Sequence, residues 1–110
     1  MKTFYAHLVQ IEIIEKELNS LDLSENEKNN LMHHVHSSIH YKVLDVILSE
    51  LPEEQKKEFL EHMQNNRHSK VWELLLKHTQ GIEEKIKNVS NLLLLEFAKD
   101  VSMIYEKHNK

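Results

Sequence analysis

The residues of this chain whose types and spacing could do chemistry are histidines. His33, His34, His36 and His40 fall within "LMHHVHSSIH" (residues 31–40), in a chain of nine histidines and no cysteine. On a helical wheel His33, His36 and His40 share nearly one azimuth. His36 and His40, four apart, have the spacing at which two imidazoles share a metal ion. Such a row is a candidate site for zinc or another divalent transition metal. His34 points away from it, towards the side of Tyr41. A structural zinc site takes four ligands and a catalytic one usually three plus water. The row supplies three, and no HExxH, no Glu-x-x-His pair and no cysteine adds to it. His7, His62, His68, His78 and His108 could complete a site only through folding or dimerisation. Imidazoles also titrate near neutrality, so a cluster at an interface would weaken association below about pH 6. The same wheel places Val43, Leu44, Ile47 and Leu51 on the azimuth of His36 and His40. The row therefore reads first as the polar end of a packing stripe.

Other catalytic groupings are sparse. Glu58 with His62, and Tyr41 with Asp45, are i, i+4 neighbours of the kind that decorates many helix surfaces. There is no Gly-x-Ser-x-Gly elbow, and a single glycine cannot build a phosphate-cradling loop. Glu53–Glu54 and Glu83–Glu84 fit helix starts, and Trp72 with Phe59 fits a core. No assembled constellation points to an enzyme.

The elements that must carry these residues are helical. One Gly and one Pro leave little turn chemistry for hairpins. A first helix is expected from Thr3, as N-cap, to Asn19, with Phe4, Leu8, Ile11 and Leu18 on one face and Ile14 beside it. Ser24 and Glu27 form a capping box that opens a helix from Glu25 to about Glu50, roughly 39 Å long. Pro52 is expected as the first residue of a third helix burying Phe59, Leu60 and Met63. "QNNRHS" (64–69) ends it. Ser69 then caps a short helix carrying Val71, Trp72, Leu74, Leu75 and Leu76, and Gly81 breaks the chain as a C′ residue. The last helix, 82–107, has a stripe of Ile82, Ile86, Val89, Leu93, Phe97, Val101 and Ile104. "NLLLLEF" departs from that stripe, because four consecutive leucines point around the whole circumference. Either this helix is central, or its second face, Leu92, Leu94, Leu95 and Met103, meets another chain. The second alternative, a homodimer, is the expectation, because 110 residues hardly enclose so long a helix. The fold class is all-α: one domain over 1–110, a compact bundle of about five helices.

Composition bounds the partners. Residues 1–66 carry six basic and twelve acidic side chains, and residues 67–110 eight and six. Neither half has the dense basic stripe of a nucleic-acid binder. The absence of cysteine removes disulfides and thiol chemistry and fits a reducing compartment. Gln10 and Glu12 interrupt the N-terminal apolar run, which therefore does not read as a signal peptide. The run "LLLL" at 92–95 is far short of the ~20 residues of a membrane span. A cytoplasmic protein is expected.

The succession "FYAHLVQIE", "VLDVILSELPEEQKKEFLEHM" and "KVWELLLKHTQGIEEKI" resembles small helical proteins of uncharacterised function from ultrasmall candidate-phylum bacteria. The resemblance rests on leucine spacing, a Leu-Pro-Glu-Glu helix start and an Ile-Glu-Glu helix start. It implies a compact all-α domain and carries over no functional residue. The resulting expectation is a non-enzymatic helical protein–protein interaction module that self-associates through its last helix. Two alternatives stand beside it: a metal-binding protein using His33, His36 and His40, and an acidic adaptor or inhibitor of a basic partner protein.

Overall fold

The computed structural model describes residues 3–108, with side chains through residue 103. Five α-helices follow a short 3₁₀ turn at Ala6–Leu8: α1 (Glu12–Asn19), α2 (Glu25–Glu50), α3 (Glu53–Gln64), α4 (His68–His78) and α5 (Ile82–His108). No strand occurs among the described residues, and the fold is an all-α bundle. It is drawn out along its two long helices, 54 × 24 × 19 Å. Its radius of gyration of 16.2 Å compares with about 13 Å for an equally long globule.

Local sequence explains most boundaries. Ser24 Oγ accepts from the Glu27 amide at 3.2 Å while the Glu27 carboxylate accepts from the Ser24 amide at 3.1 Å, the expected capping box opening α2. Pro52 lies one residue earlier than expected, as the N-cap of α3, where its carbonyl accepts from Lys56 N–H. Its ring holds Leu51 in extended backbone, which stops α2. Asn66 adopts φ 54°, with Arg67 N–H on the His62 carbonyl and Asn66 N–H on Met63. These paired bonds end α3 in a Schellman turn, with Asn in the left-handed position that glycine usually takes. α4 then begins one residue before Ser69, without a side-chain cap. Gly81, expected to close α4, instead opens α5. Its φ is +65° and its carbonyl accepts from Lys85 N–H, so it sits at the N-cap.

Two larger differences shape the molecule. The continuous helix expected from Thr3 is absent: a 3₁₀ turn ends at extended Val9, and α1 begins only at Glu12. One helix would hold Phe4 and Tyr5 about 100° apart, with only one of them inward. The broken chain buries both, at 4% and 3% exposure. Gln10 N–H, freed by the break, donates to Asn91 Oδ1 at 3.0 Å. The second difference is the inward face of α5. Its most buried residues are Ile82, Ile86, Ser90, Leu94 and Val101, while Val89, Leu93 and Phe97 lie half-buried on its flank. The expected stripe skirted Ser90 because serine is polar. The side chain of Ile104 lies outside the described residues.

α5 is the organising helix, packed along α1 and α2 and touched by the 3₁₀ turn. α3 and α4 form a separate hairpin against each other. Two contacts tie these elements together. The Lys85 ammonium meets the Glu50 carboxylate at 2.6 Å, tying the first turn of α5 to the last of α2. The segment before the 3₁₀ turn supplies the other joint.

Candidate functional site

That joint centres on Phe4. Its ring lies 6.0 Å from Phe59 of α3, 5.7 Å from Trp72 and 6.5 Å from His68 of α4, each in an edge-on geometry. Trp72 Nε1–H donates to the Phe4 carbonyl at 2.8 Å, so the indole fixes main chain as well as ring. The Tyr5 ring meets that of Phe4 edge-on at 5.2 Å, and its hydroxyl lies 3.2 Å from His40 Nδ1 on α2. The doublet thus reaches α3 and α4 through Phe4 and α2 through Tyr5. The "FY" doublet, with one aromatic too many for a single helix face, was the signal for this in the sequence.

The histidine row divides along α2. His33 is exposed. His36 is half-buried and lines a small cavity of about 70 Å³ with Tyr5, Ala6, Val9, Ile11 and Ile39. His40 is half-buried and engaged with Tyr5. Burial holds the His36 imidazole below the usual histidine range, opposed in part by the Glu15 carboxylate. Burial raises the Tyr5 phenol, partly offset by a hydrogen bond to Thr3. The fully buried face of α2 is Val35, Ile39, Val43 and Ile47. The row flanks that face as His36 and His40 and leaves it at His33. His34 meets the Phe97 ring edge-on at 5.5 Å, a contact between α2 and α5 that helical spacing alone does not reveal. Among the described residues, no three His, Asp or Glu side chains are grouped so as to hold a metal ion.

A broader cleft lies between α3 and α4. Within it His62 Nε2 stands 3.6 Å from Glu58 Oε1, an ion-pair distance when the imidazole is charged and too long for a hydrogen bond. His62 Nδ1 is buried and has no hydrogen-bond partner among the described residues. Lys70 is paired with Glu73 of its own helix at 3.4 Å on the same cleft wall. Charges of both signs alternate along that wall and favour no single class of ion.

The four residues assigned to a second apolar face of α5 separate into two sets. Leu92, Leu95 and Met103 are exposed, at 60%, 55% and 50%. Leu94 is completely buried against the protein's own core, so it does not belong to that face. The error follows from the misplaced stripe: with Ser90 inward, Leu94 comes inward one turn later. No helix among the described residues is long and apolar enough to cross a membrane.

A family model described as "Protein of unknown function (DUF5663)" matches residues 14–97. The chain belongs to this family. The match covers α1 from Ile14, the whole histidine row, the α3–α4 hairpin and α5 through Phe97. Phe4, Tyr5 and Met103 lie outside it. Neither the curated proteins nor the solved structures give a significant match.

Proposed function

We propose that this member of the family is a non-enzymatic helical interaction module of the cytoplasm that self-associates through α5. The observation that carries this reading is the outer face of α5. Leu92, Leu95 and Met103 are all half or more exposed, on the side of the helix opposite the buried Ile86, Ser90 and Leu94. Apolar side chains aligned on one exposed helix face mark a contact surface. The cytoplasmic placement rests on the lack of cysteine. The source in ultrasmall candidate-phylum bacteria rests on the resemblance of the three segments quoted above.

Light scattering coupled to size exclusion tests the reading. The expected result is a mass that rises towards that of a dimer across the micromolar range. Leu92→Glu combined with Leu95→Glu should hold the protein monomeric without unfolding it, since neither side chain enters the core. A wild-type chain that stays monomeric up to hundreds of micromolar defeats the proposal.

A further inference from the structure

The outer face of α5 carries charge as well as apolar surface, and the two are ordered. Leu92, Leu95, Lys99 and Met103 succeed one another at steps of three, four and four. Glu96 borders the row, and all five side chains are exposed. From Leu92 to Met103 the row spans about 16 Å. A two-fold axis perpendicular to the helix and lying outside its outer face, at the level between Phe97 and Ala98, pairs the row with a second copy of itself in reverse. It brings residue 92 opposite residue 103, and residue 96 opposite residue 99. Leu92 then meets Met103 and the Glu96 carboxylate meets the Lys99 ammonium, while Leu95 falls at the level of Asp100, whose azimuth lies off this face. Parallel pairing in register would instead set Lys99 against a second Lys99 and Glu96 against a second Glu96, which like-charge repulsion disfavours.

We propose that two copies of this chain pair antiparallel through α5 about that axis, with Leu92 packed on Met103 of the partner subunit and Glu96 paired with Lys99 of the partner subunit. The inference rests on the self-association reading above and adds orientation and register to it. Each contact occurs twice, as an isologous interface requires. Three turns of one helix bury less than the ~800 Å² per partner of a standard interface. The pair is therefore a weak, reversible one, with Glu96 and Lys99 at its centre setting the register.

The chain has no cysteine, so introduced thiols report distance without background. L92C/M103C, oxidised in the folded full chain, should run as a covalent dimer on a non-reducing gel. L92C alone should not, because the two residues 92 stand about 16 Å apart in this register and a disulfide needs Cα atoms within about 7 Å. M103C alone fails for the same reason. A second measurement uses charge: E96K should raise the dimer dissociation constant about tenfold or more, and E96K/K99E should return it close to wild type. If L92C alone crosslinks, or the double variant does not while light scattering still reads a dimer, the register is wrong and self-association stands. A dimer indifferent to E96K also overturns the register. A wild-type monomer in light scattering removes both readings together.

Discussion

Phe4→Ala tests whether the N-terminal segment is a structural joint. The Phe4 ring is 96% buried and contacts aromatic residues on α3 and α4, as well as Tyr5 at 5.2 Å. Truncating a buried phenylalanine costs about 3–5 kcal/mol, combining lost transfer energy with the cavity left behind. The Trp72 bond to the Phe4 carbonyl does not depend on the ring, so its loss is not a direct part of that cost. About 3 kcal/mol is the expected value, because the irregular stretch before the 3₁₀ turn that carries Phe4 can settle into part of the cavity more readily than a helix. For a domain of this size each kcal/mol lowers the thermal midpoint by roughly 4 °C or more. The midpoint should therefore fall by at least about 12 °C. Trp72 is the only tryptophan, so urea unfolding followed by its fluorescence reports directly on the joint. The emission of the folded variant should also move to longer wavelength as water reaches the indole. A loss under about 1 kcal/mol with unchanged emission would show that the hairpin is held without Phe4.

Two further substitutions probe separate physical terms. His36 is held below the usual histidine range, so the folded protein binds fewer protons there than the unfolded chain. Its contribution is fully present above about pH 6.5 and lost as pH falls through the folded value. Thermal midpoints measured from pH 7.5 to pH 5 should decline less steeply for His36→Asn than for wild type, and parallel curves would refute the assignment. Gly81 has φ +65° and open space around the position of an added Cβ, so Gly81→Ala meets only the backbone penalty of the left-handed region, about 1 kcal/mol. Gly81→Asn should cost less, and equal urea midpoints for alanine and wild type would contradict the strain.

How much of this was legible before folding depends on which residues carried the signal. The capping box at Ser24, the stop at Pro52 and the break at Gly81 are local, and the sequence placed each within a residue or two. The inward face of α5 was legible at Ile82, Ile86 and Val101 but not between them, because apolar periodicity skips a buried serine. Ser90 is fully buried, and its Oγ finds no hydrogen-bond partner among the described residues. Its small side chain lies one residue before Asn91, which receives the Gln10 amide from the break before α1. Close passage of that chain past α5 is a tertiary fact that apolar periodicity does not carry. The histidine row divides for a related reason. A shared azimuth fixes which way three rings leave a helix, whereas their neighbours decide what each one does. Tyr5 occupies His40, the small cavity takes His36, and solvent takes His33.

Exposed leucines alone would not justify a functional reading, since apolar atoms cover more than half of an ordinary protein surface. Leu60 and Leu76 are exposed too, at 44% and 60%, and lie on different helices. The case of α5 differs in its arrangement. Its buried face already satisfies the fold by packing on α1 and α2, and nothing in that packing calls for leucine at 92 or 95. Replacing these two with glutamate should leave folding stability within about 0.5 kcal/mol, the range of surface changes that touch no special feature. Leu92, Leu95 and Met103, which the fold does not bury, are the residues that the proposed pairing uses. The fold then supplies rigidity: α5 is pinned at Glu50 by Lys85 and flanked by two helices, so its outer face is presented in a fixed shape. A surface held in this way loses little conformational freedom on pairing, which is how a short apolar row can support a specific contact.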